Sequence, residues 1–301
     1  MSRFTRALAA AGAIALVGAL SACSNSTDPA ATDGSAAADE VIKIGVVGAS
    51  DPQWELFKTA AADEGIKIEV VDFGEYTAVN PATTAGDIQI NQFQHLPFLA
   101  QYNVDTGSDL QPIGATAIYP LGLYSQKYTD VASIPAGAKV GVPNDTTNQA
   151  RGLVLLQAQG LVKLTDGGTA FSTAAEVDKA ASKVEVVTID ADKIGASLPD
   201  LDAAIINNDF IEQAGFTADQ AIAQDDPSDP KALPYVNVFA TTAEQKDNPT
   251  YLKLVEIFQS NQGVLDAVQE QSGGTAVFLQ TPASELQSTL ATVESDYKAT
   301  K

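Results

Sequence analysis

The feature that most constrains this chain is an alternation of short β-branched runs with helices whose starts can be read directly. Val41-Ile42-Lys43-Ile44-Gly45-Val46-Val47 is apolar and branched at Cβ, as expected of a buried strand. Ser50-Asp51-Pro52 follows, a capping residue and a proline suited to a first helical turn, and the helix should run to about Asp63 and stop at Gly65. Residues 66–73 form the next strand. The order repeats with strands near 88–90, at 139–142, 184–189 and 203–206, helices from about 96 and over about 147–159, and C-terminal helices at 249–260 and 283–297. No short internal repeat suggests a solenoid. Such alternation predicts α/β architecture with parallel sheets covered on both faces and ligands at the carboxyl ends of the strands.

Ahead of this pattern the chain reads as an address. Arg3 and Arg6 are the only charged side chains before Cys23, and the apolar stretch 7–20 is too short to span a bilayer stably. Residues 1–22 are therefore a secretory signal. Its end, Leu20-Ser21-Ala22-Cys23, resembles the bacterial lipobox, in which small residues fit the peptidase and the following thiol takes a diacylglycerol. An ordinary signal cleavage leaving Cys23 as a chance thiol is the competing reading, although an unpaired exposed Cys is unusual in an exported protein. Acyl chains add roughly 0.8 kcal/mol of membrane affinity per buried CH₂. The mature protein is thus expected on the outer face of the cytoplasmic membrane, lipid-anchored at Cys23. Residues 23–40 lack aromatic and large aliphatic side chains beyond the anchor and form a flexible linker.

Charge and rare residues exclude whole classes. With 17 Lys and Arg against 38 Asp and Glu, a net charge of -21 opposes a phosphate backbone, so nucleic acid is not expected as a partner. One Cys and one His permit neither an internal disulfide nor a multi-histidine zinc site, and no metal or cofactor is expected.

Two extended segments, 117–125 and 234–240, could cross between lobes. Two crossings imply a cleft, with one lobe at 41–122 joined by 238–301 and the other at 123–237.

Candidate ligand residues gather at strand ends. Asn91-Gln92-Phe93-Gln94-His95-Leu96-Pro97 ends a strand with polar and aromatic side chains and enters a helix. His95 has no second His, Cys or nucleophile motif to form a triad, and both a ligand contact and a helix-start packing role fit it. Val142-Pro143-Asn144-Asp145-Thr146-Thr147-Asn148 leads into a helix carrying Arg151 in its first turn, where a cation opposes the helix dipole. That cost suits an arginine gripping a carboxylate in a bidentate fork; an exposed Arg beside an acidic neighbour is the other reading. Asn207-Asn208 ends a buried strand and Asn237 lies in the second crossing segment. We assign Asn208 to a turn, and Asn207 and Asn237 to a zwitterion, since an amide both donates and accepts. Tyr76 and Tyr119 offer flat apolar walls with polar tips, or simple core filling.

Taken together these residues resemble the NlpA-type (MetQ-like) methionine-binding lipoproteins, substrate-binding subunits of methionine ATP-binding-cassette importers, over nearly the whole chain from Cys23. Asn91-Gln92-Phe93-Gln94-His95-Leu96-Pro97-Phe98-Leu99 resembles the family's N-x-F-Q-H-x-P-[YF]-L run, and Val142-Pro143-Asn144-Asp145 with Thr147-Asn148 and Arg151 resembles V-P-N-D-x-T-N-x-x-R. Tyr119-Pro120-Leu121 and Pro234-Tyr235-Val236-Asn237 resemble its Y-P-L and P-Y-V-N. The resemblance implies two α/β lobes of the type II periplasmic-binding-protein fold closing on L-methionine. It implies that Arg151 holds the α-carboxylate, that Asn207 and Asn237 bond the amino-acid backbone, and that Tyr76, Phe93, His95 and Tyr119 surround the thioether, with Asn148 in the same set. Sulfur against an aromatic ring contributes roughly 0.3 to 1.5 kcal/mol per contact. The chain departs from the pattern in two places: Asp209-Phe210 stands where the family often has an amide or similar residue followed by Tyr, and the segment after Gly48 differs and carries Trp54.

The expected function is capture of L-methionine or a close derivative by hinge closure, as a monomer, and delivery to a permease and its ATPase, with no covalent chemistry. Arg151→Ala is expected to weaken methionine binding severely and leave the fold intact, as for an exposed cleft arginine. The alternatives are a binder of D-methionine or a methionyl dipeptide, a ligand-independent surface lipoprotein, and an extracytoplasmic hydrolase using His95. No G-x-S-x-G elbow supports the last.

Overall fold

Local signals at the element boundaries are realised nearly residue for residue in a computed structural model that describes residues 41–301. The signal 1–22, the lipidation site Cys23 and the linker 23–40 lie outside the described residues. The first stretch runs β1 (Ile42–Val46), α1 (Pro52–Asp63), β2 (Ile68–Asp72), α2 (Val79–Ala85), β3 (Ile90–His95), α3 (Leu96–Thr106), β4 (Leu110–Ala115), β5 (Ala117–Ile118) and β6 (Gly122–Tyr124). Next come β7 (Lys139–Pro143), α4 (Thr146–Ala158), β8 (Glu185–Ile189), α5 (Ile194–Ser197), β9 (Ala203–Ile206) and β10 (Ala223–Gln224). The chain ends with β11 (Asn237–Thr242), α6 (Pro249–Ser260), α7 (Gln262–Gln271), β12 (Val277–Phe278) and α8 (Ala283–Lys298). Proline opens α1 and α6 as the sequence implies, because its missing N–H is one of the unpaired donors of a first turn. Gly107, at φ 72°, stops α3 in a left-handed conformation that costs glycine little.

Ten of the twelve strands among the described residues form two five-stranded sheets, one to each lobe, ordered β2-β1-β3-β11-β4 and β10-β6-β9-β7-β8, and β5 pairs with β12 in a separate antiparallel ladder. Neither sheet is wholly parallel, which corrects the expectation from simple alternation. Parallel pairing holds for β1 with β2 and β3, and for β7 with β8 and β9. However, β11 runs antiparallel between β3 and β4, and β6 runs antiparallel to β9 and β10. The reason is topological: β11 returns from the second sheet and enters the first from its opposite end. The chain passes from first sheet to second between β4 and β6, and back between β10 and β11. A further difference is that the third strand starts at Ile90, where the sequence reading ends it, so that its polar run 91–95 is itself strand and fully buried.

Each sheet is held by aliphatic and aromatic packing on both faces. Under α1, α6 and α7 lie Trp54, Phe57, Phe239 and Phe258, with ring centroids 5.2 to 6.4 Å apart. Burial of each such ring contributes about 1.5 to 3 kcal/mol. On the opposite face α3 and α8 cover Leu96, Leu99, Val238 and Leu290. The second sheet buries Val140, Val142, Leu153 and Ile205 beneath α4. A further apolar cluster draws on both sheets, bringing Val47, Tyr76 and Phe93 together with Ile206 and Phe210. There the carboxyl ends of the strands of both lobes meet.

Candidate functional site

Two helix starts build the floor of this junction. His95 is the N-cap of α3, and its Nδ1 accepts from the Phe98 backbone N–H at 3.3 Å. That arrangement leaves the ring proton on Nε2, which donates to Asn148 Oδ1 at 3.1 Å in the opposite lobe. Asp145 is the N-cap of α4, its Oδ1 accepting from the Asn148 backbone and side-chain N–H groups at 3.0 Å each. Burial and the nearby Arg151 charge push the His95 imidazole down to about 4, so it is neutral at ordinary pH. Of the two open readings of His95, the helix-start role is observed, and its ring also lines the cavity described below.

The arginine is held from three sides. Arg151 Nε donates to Asp225 Oδ2 at 2.6 Å, and Nη2 donates to Asp225 Oδ1 at 3.1 Å and to the Tyr119 carbonyl at 2.8 Å. Its Cζ stands 4.5 Å from the centroid of Tyr235, whose ring meets that of His95 edge-on at 5.3 Å. Two expectations are corrected here. Arg151 lies in the second turn of α4, because the helix begins at Thr146, so the dipole opposes it less than a first-turn position would. It is also only 7% exposed and ion-paired, so Arg151→Ala would strand the Asp225 carboxylate rather than leave the fold untouched. Nη1 has no hydrogen-bond partner among the described residues.

An aromatic wall faces the guanidinium. Tyr76 packs 5.9 Å from Phe93, 6.1 Å from Phe98 and 5.1 Å from Phe210, and Phe93 meets Phe98 edge-on at 5.7 Å. The Tyr76 hydroxyl donates to Asp209 Oδ2 at 2.7 Å. Beneath the wall, Asn91 and Gln94 of the polar run turn away from solvent into an amide network. Asn80 and Gln94 exchange a reciprocal pair at 2.7 Å, Gln94 Nε2 also reaches Asn91 Oδ1 at 2.7 Å, and Asn91 Nδ2 donates to Thr83 Oγ1 at 2.7 Å.

A cavity opens between these parts, lined by Tyr76, Phe93, His95, Asn148, Arg151, Asn207 and Asn237 together with Gln94, Phe98 and Asn208. Seven of the eight residues singled out from the sequence thus surround one space. Tyr119 lines a neighbouring cavity that shares Phe93, Asn208 and Asn237. Asn207 Oδ1 is buried with no partner, and the Asn237 side-chain amide makes no hydrogen bond among the described residues. Buried polar atoms are almost always paired, so unpaired ones beside a cavity mark where a ligand completes the bonding.

Sequence reasoning misses several participants. Asn208, assigned to a turn, lines both cavities and donates to Asp209 Oδ1 at 2.7 Å. Asp225 sits in the acidic stretch Gln224-Asp225-Asp226, which reads as a solvated loop. Phe98 lies in the quoted motif, where its spacing from His95 on a helix start could have flagged it.

The NlpA lipoprotein family profile matches residues 42–278. The D-methionine-binding lipoprotein MetQ of Escherichia coli K12 is 37% identical over 241 residues, covering 78% of this chain and 87% of that protein. Among solved structures, protein PG110 from Staphylococcus aureus superposes with a TM-score of 0.79 at 32% identity, covering 84% of this chain and 99% of that one. The substrate-binding protein of a methionine transporter from Streptococcus pneumoniae gives a TM-score of 0.73 at 30% identity, covering 79% and 95%. With the profile spanning most of its length and relatives of this identity, the chain belongs to the NlpA lipoprotein family and is a binding protein rather than an enzyme.

Proposed function

We propose that this chain is the extracytoplasmic, lipid-anchored subunit that captures L-methionine or a close derivative for an ATP-binding-cassette importer. One observation carries the reading: the polar groups left without partners around the cavity complement an amino-acid zwitterion. Arg151 Nη1 is a cationic donor for a carboxylate, Asn207 Oδ1 is an acceptor for an ammonium, and the Asn237 amide can serve either. Tyr76, Phe93 and Phe98 supply a polarisable apolar wall of the kind that receives a thioether. The names of the relatives, which specify methionine, point the same way.

The mechanism is closure. The ligand bridges groups from both lobes, so it binds the closed form better than the open one and shifts the population toward it. Cys23 would tether the protein, as a monomer, to the outer face of the cytoplasmic membrane, where a permease can take up the closed, loaded form. Among the described residues no helix is long and apolar enough to cross a membrane.

Titration calorimetry with L-methionine, D-methionine and norleucine tests the reading. L-methionine should bind with the highest affinity, and norleucine, which has no sulfur, more weakly. At 100-fold over its dissociation constant the preferred ligand should stabilise the fold by about 2.7 kcal/mol in a thermal melt. Heat-silent titrations and unchanged melting with every methionine form would reject it.

A further inference from the structure

An arm of the second lobe, residues 164–177, reaches the first lobe at a point away from the ligand cavity. Its ends, Leu164 and Val177, pair with each other and are buried in the core of the second sheet. Two glutamines of α4 brace it: Gln157 Oε1 accepts from the Leu164 N–H at 2.8 Å while its Nε2 donates to the Gly167 carbonyl at 2.9 Å, and Gln149 Oε1 accepts from the Ala174 N–H at 2.9 Å. Within the arm, Ser172 Oγ donates to Asp166 Oδ2 at 2.6 Å and accepts from the Thr169 N–H at 2.8 Å. These bonds make the arm one body with α4.

Between its ends the arm carries a single large apolar side chain, Phe171. That ring turns away from the second sheet and packs on the cluster of the first lobe that contains Leu96, Leu99 and Leu290. Its centroid lies 5.1 Å from that of Tyr297 on α8, with the planes tilted by 42°. Tyr297 is fixed in turn: its hydroxyl donates to Asp105 Oδ2 of α3 at 3.2 Å, and Lys301 Nζ, paired with the same carboxylate, stands 5.0 Å over the ring.

The arm moves with α4, and Tyr297 moves with α3 and α8, so parting the lobes pulls Phe171 off α8. The ring contact then belongs to the closed arrangement alone, and a contact made in one of two states shifts the population toward that state. Neither ring lines either cavity of the site, so any effect on a ligand passes through the balance of open and closed forms. We propose that Phe171 is an affinity-determining residue that does not touch the ligand: an aromatic catch on α8 that raises the closed fraction and slows release. The methionine reading enters only through the choice of probe.

Solution scattering of the unliganded protein, with calorimetry and stopped-flow dissociation of L-methionine, tests this on the parent, Phe171→Ala and Phe171→Tyr. An aromatic pair corresponds to roughly a two- to tenfold change in an equilibrium constant. Phe171→Ala should raise the Kd by that factor, chiefly as faster dissociation, and enlarge the unliganded radius of gyration, while the methionine-saturated variant scatters like the parent. Phe171→Tyr, which keeps the ring, should stay within about twofold of the parent in Kd. A Phe171→Ala protein that melts lower but keeps the parent's unliganded scattering and dissociation rate would make Phe171 a brace of its own arm and overturn the proposal. Loss in Phe171→Tyr as large as in Phe171→Ala would overturn it too, because the ring would not be the working group. If methionine does not bind the parent, the functional reading fails, and the unliganded scattering alone still decides for or against the catch.

Discussion

The Tyr76 hydroxyl donates to the Asp209 carboxylate at 2.7 Å, a single bond joining the two lobes at the mouth of the ligand cavity. His95 with Asn148 and Gln101 Nε2 with Thr146 Oγ1, both at 3.1 Å, and Arg151 Nη2 with the Tyr119 carbonyl at 2.8 Å are further polar ties across the junction. These bonds between the lobes sit beside the cavity, and a small change in any of them should register in affinity.

Removing the hydroxyl while keeping the ring isolates one tie. A hydrogen bond to a charged group contributes about 1.5 to 3 kcal/mol, and about 1.4 kcal/mol corresponds to a factor of ten. Tyr76→Phe should therefore raise the Kd for methionine by about tenfold at pH 8 and shift solution scattering of the unliganded protein toward a more open form. Unchanged affinity and scattering would show that the bond does not hold the lobes.

Closure should also respond to pH, with a definite sign. Burial, reinforced by the Asp51 charge, pushes the Asp209 carboxyl up to about 7, and burial with the Glu212 and Asp72 charges pushes Asp51 up to about 6. Between the ordinary carboxylate value of 3.8 and these values the folded protein holds protons that the unfolded chain has released, so this stability is full below about 4 and is lost as pH rises through 6 to 7. His95, held down to about 4, opposes the trend between 4 and 6.5, where the folded protein binds fewer protons than the unfolded chain. Replacing both acids by Asn removes their contribution and leaves that of His95. The melting temperature of Asp51→Asn/Asp209→Asn should therefore gain on the parent by several degrees between pH 5 and pH 8. Parallel profiles would refute the coupling.

Much of this was legible because it is local. Asp51-Pro52 and Asn248-Pro249 set helix starts within a single turn, so α1 and α6 could be read without knowing the fold. Phe93, His95 and Asn207 could be picked because they fall at or near the carboxyl ends of strands, where α/β sheets expose side chains to a cleft, Asn237 because it lies in the second crossing segment, and Arg151 because a cation near a helix start opposes the dipole. What could not be read is pairing across distance. Nothing in Gln224-Asp225-Asp226 distinguishes a solvated acidic loop from the residue that orients Arg151. Asn91 carries no local sign that it faces a buried amide network rather than a cavity, nor Gln94 that it joins that network while also lining the cavity. The antiparallel insertion of β11 depends on where the chain returns from the second lobe, which alternation alone does not encode.

The three-sided hold on Arg151 predicts that charge alone is insufficient there. Lysine keeps a cation but cannot reach Asp225 and the Tyr119 carbonyl together, nor stack on Tyr235 as a plane. Arg151→Lys should lower methionine affinity by about 100-fold with a melting temperature within a few degrees of the parent. Arg151→Ala should lose binding and also cost up to about 3 kcal/mol of stability, the lower part of the range for a broken buried pair because Asp225 retains 29% side-chain exposure. Equal melting of Ala variant and parent would mean that the ion pair contributes nothing to the fold.

The amide network behind β3 offers a test that separates support from contact. Asn80, Asn91 and Gln94 are 1%, 0% and 3% exposed, so Asn80→Ala leaves the buried Gln94 and Asn91 amides short of partners that water cannot replace. Each stranded group costs about 1 to 3 kcal/mol, and about 1 kcal/mol lowers the midpoint of a domain this size by 2 to 4 °C. Asn80→Ala should melt roughly 6 to 12 °C below the parent. Asn80 does not line the cavity that holds His95 and Arg151, and β3 is also anchored by its backbone pairing to β1 and β11, so methionine affinity measured well below the midpoint should fall only several-fold. A drop under 2 °C would show that the network repacks. A loss of affinity as large as that of Arg151→Lys would show that the network sets the position of Phe93 and His95 and belongs to the site itself.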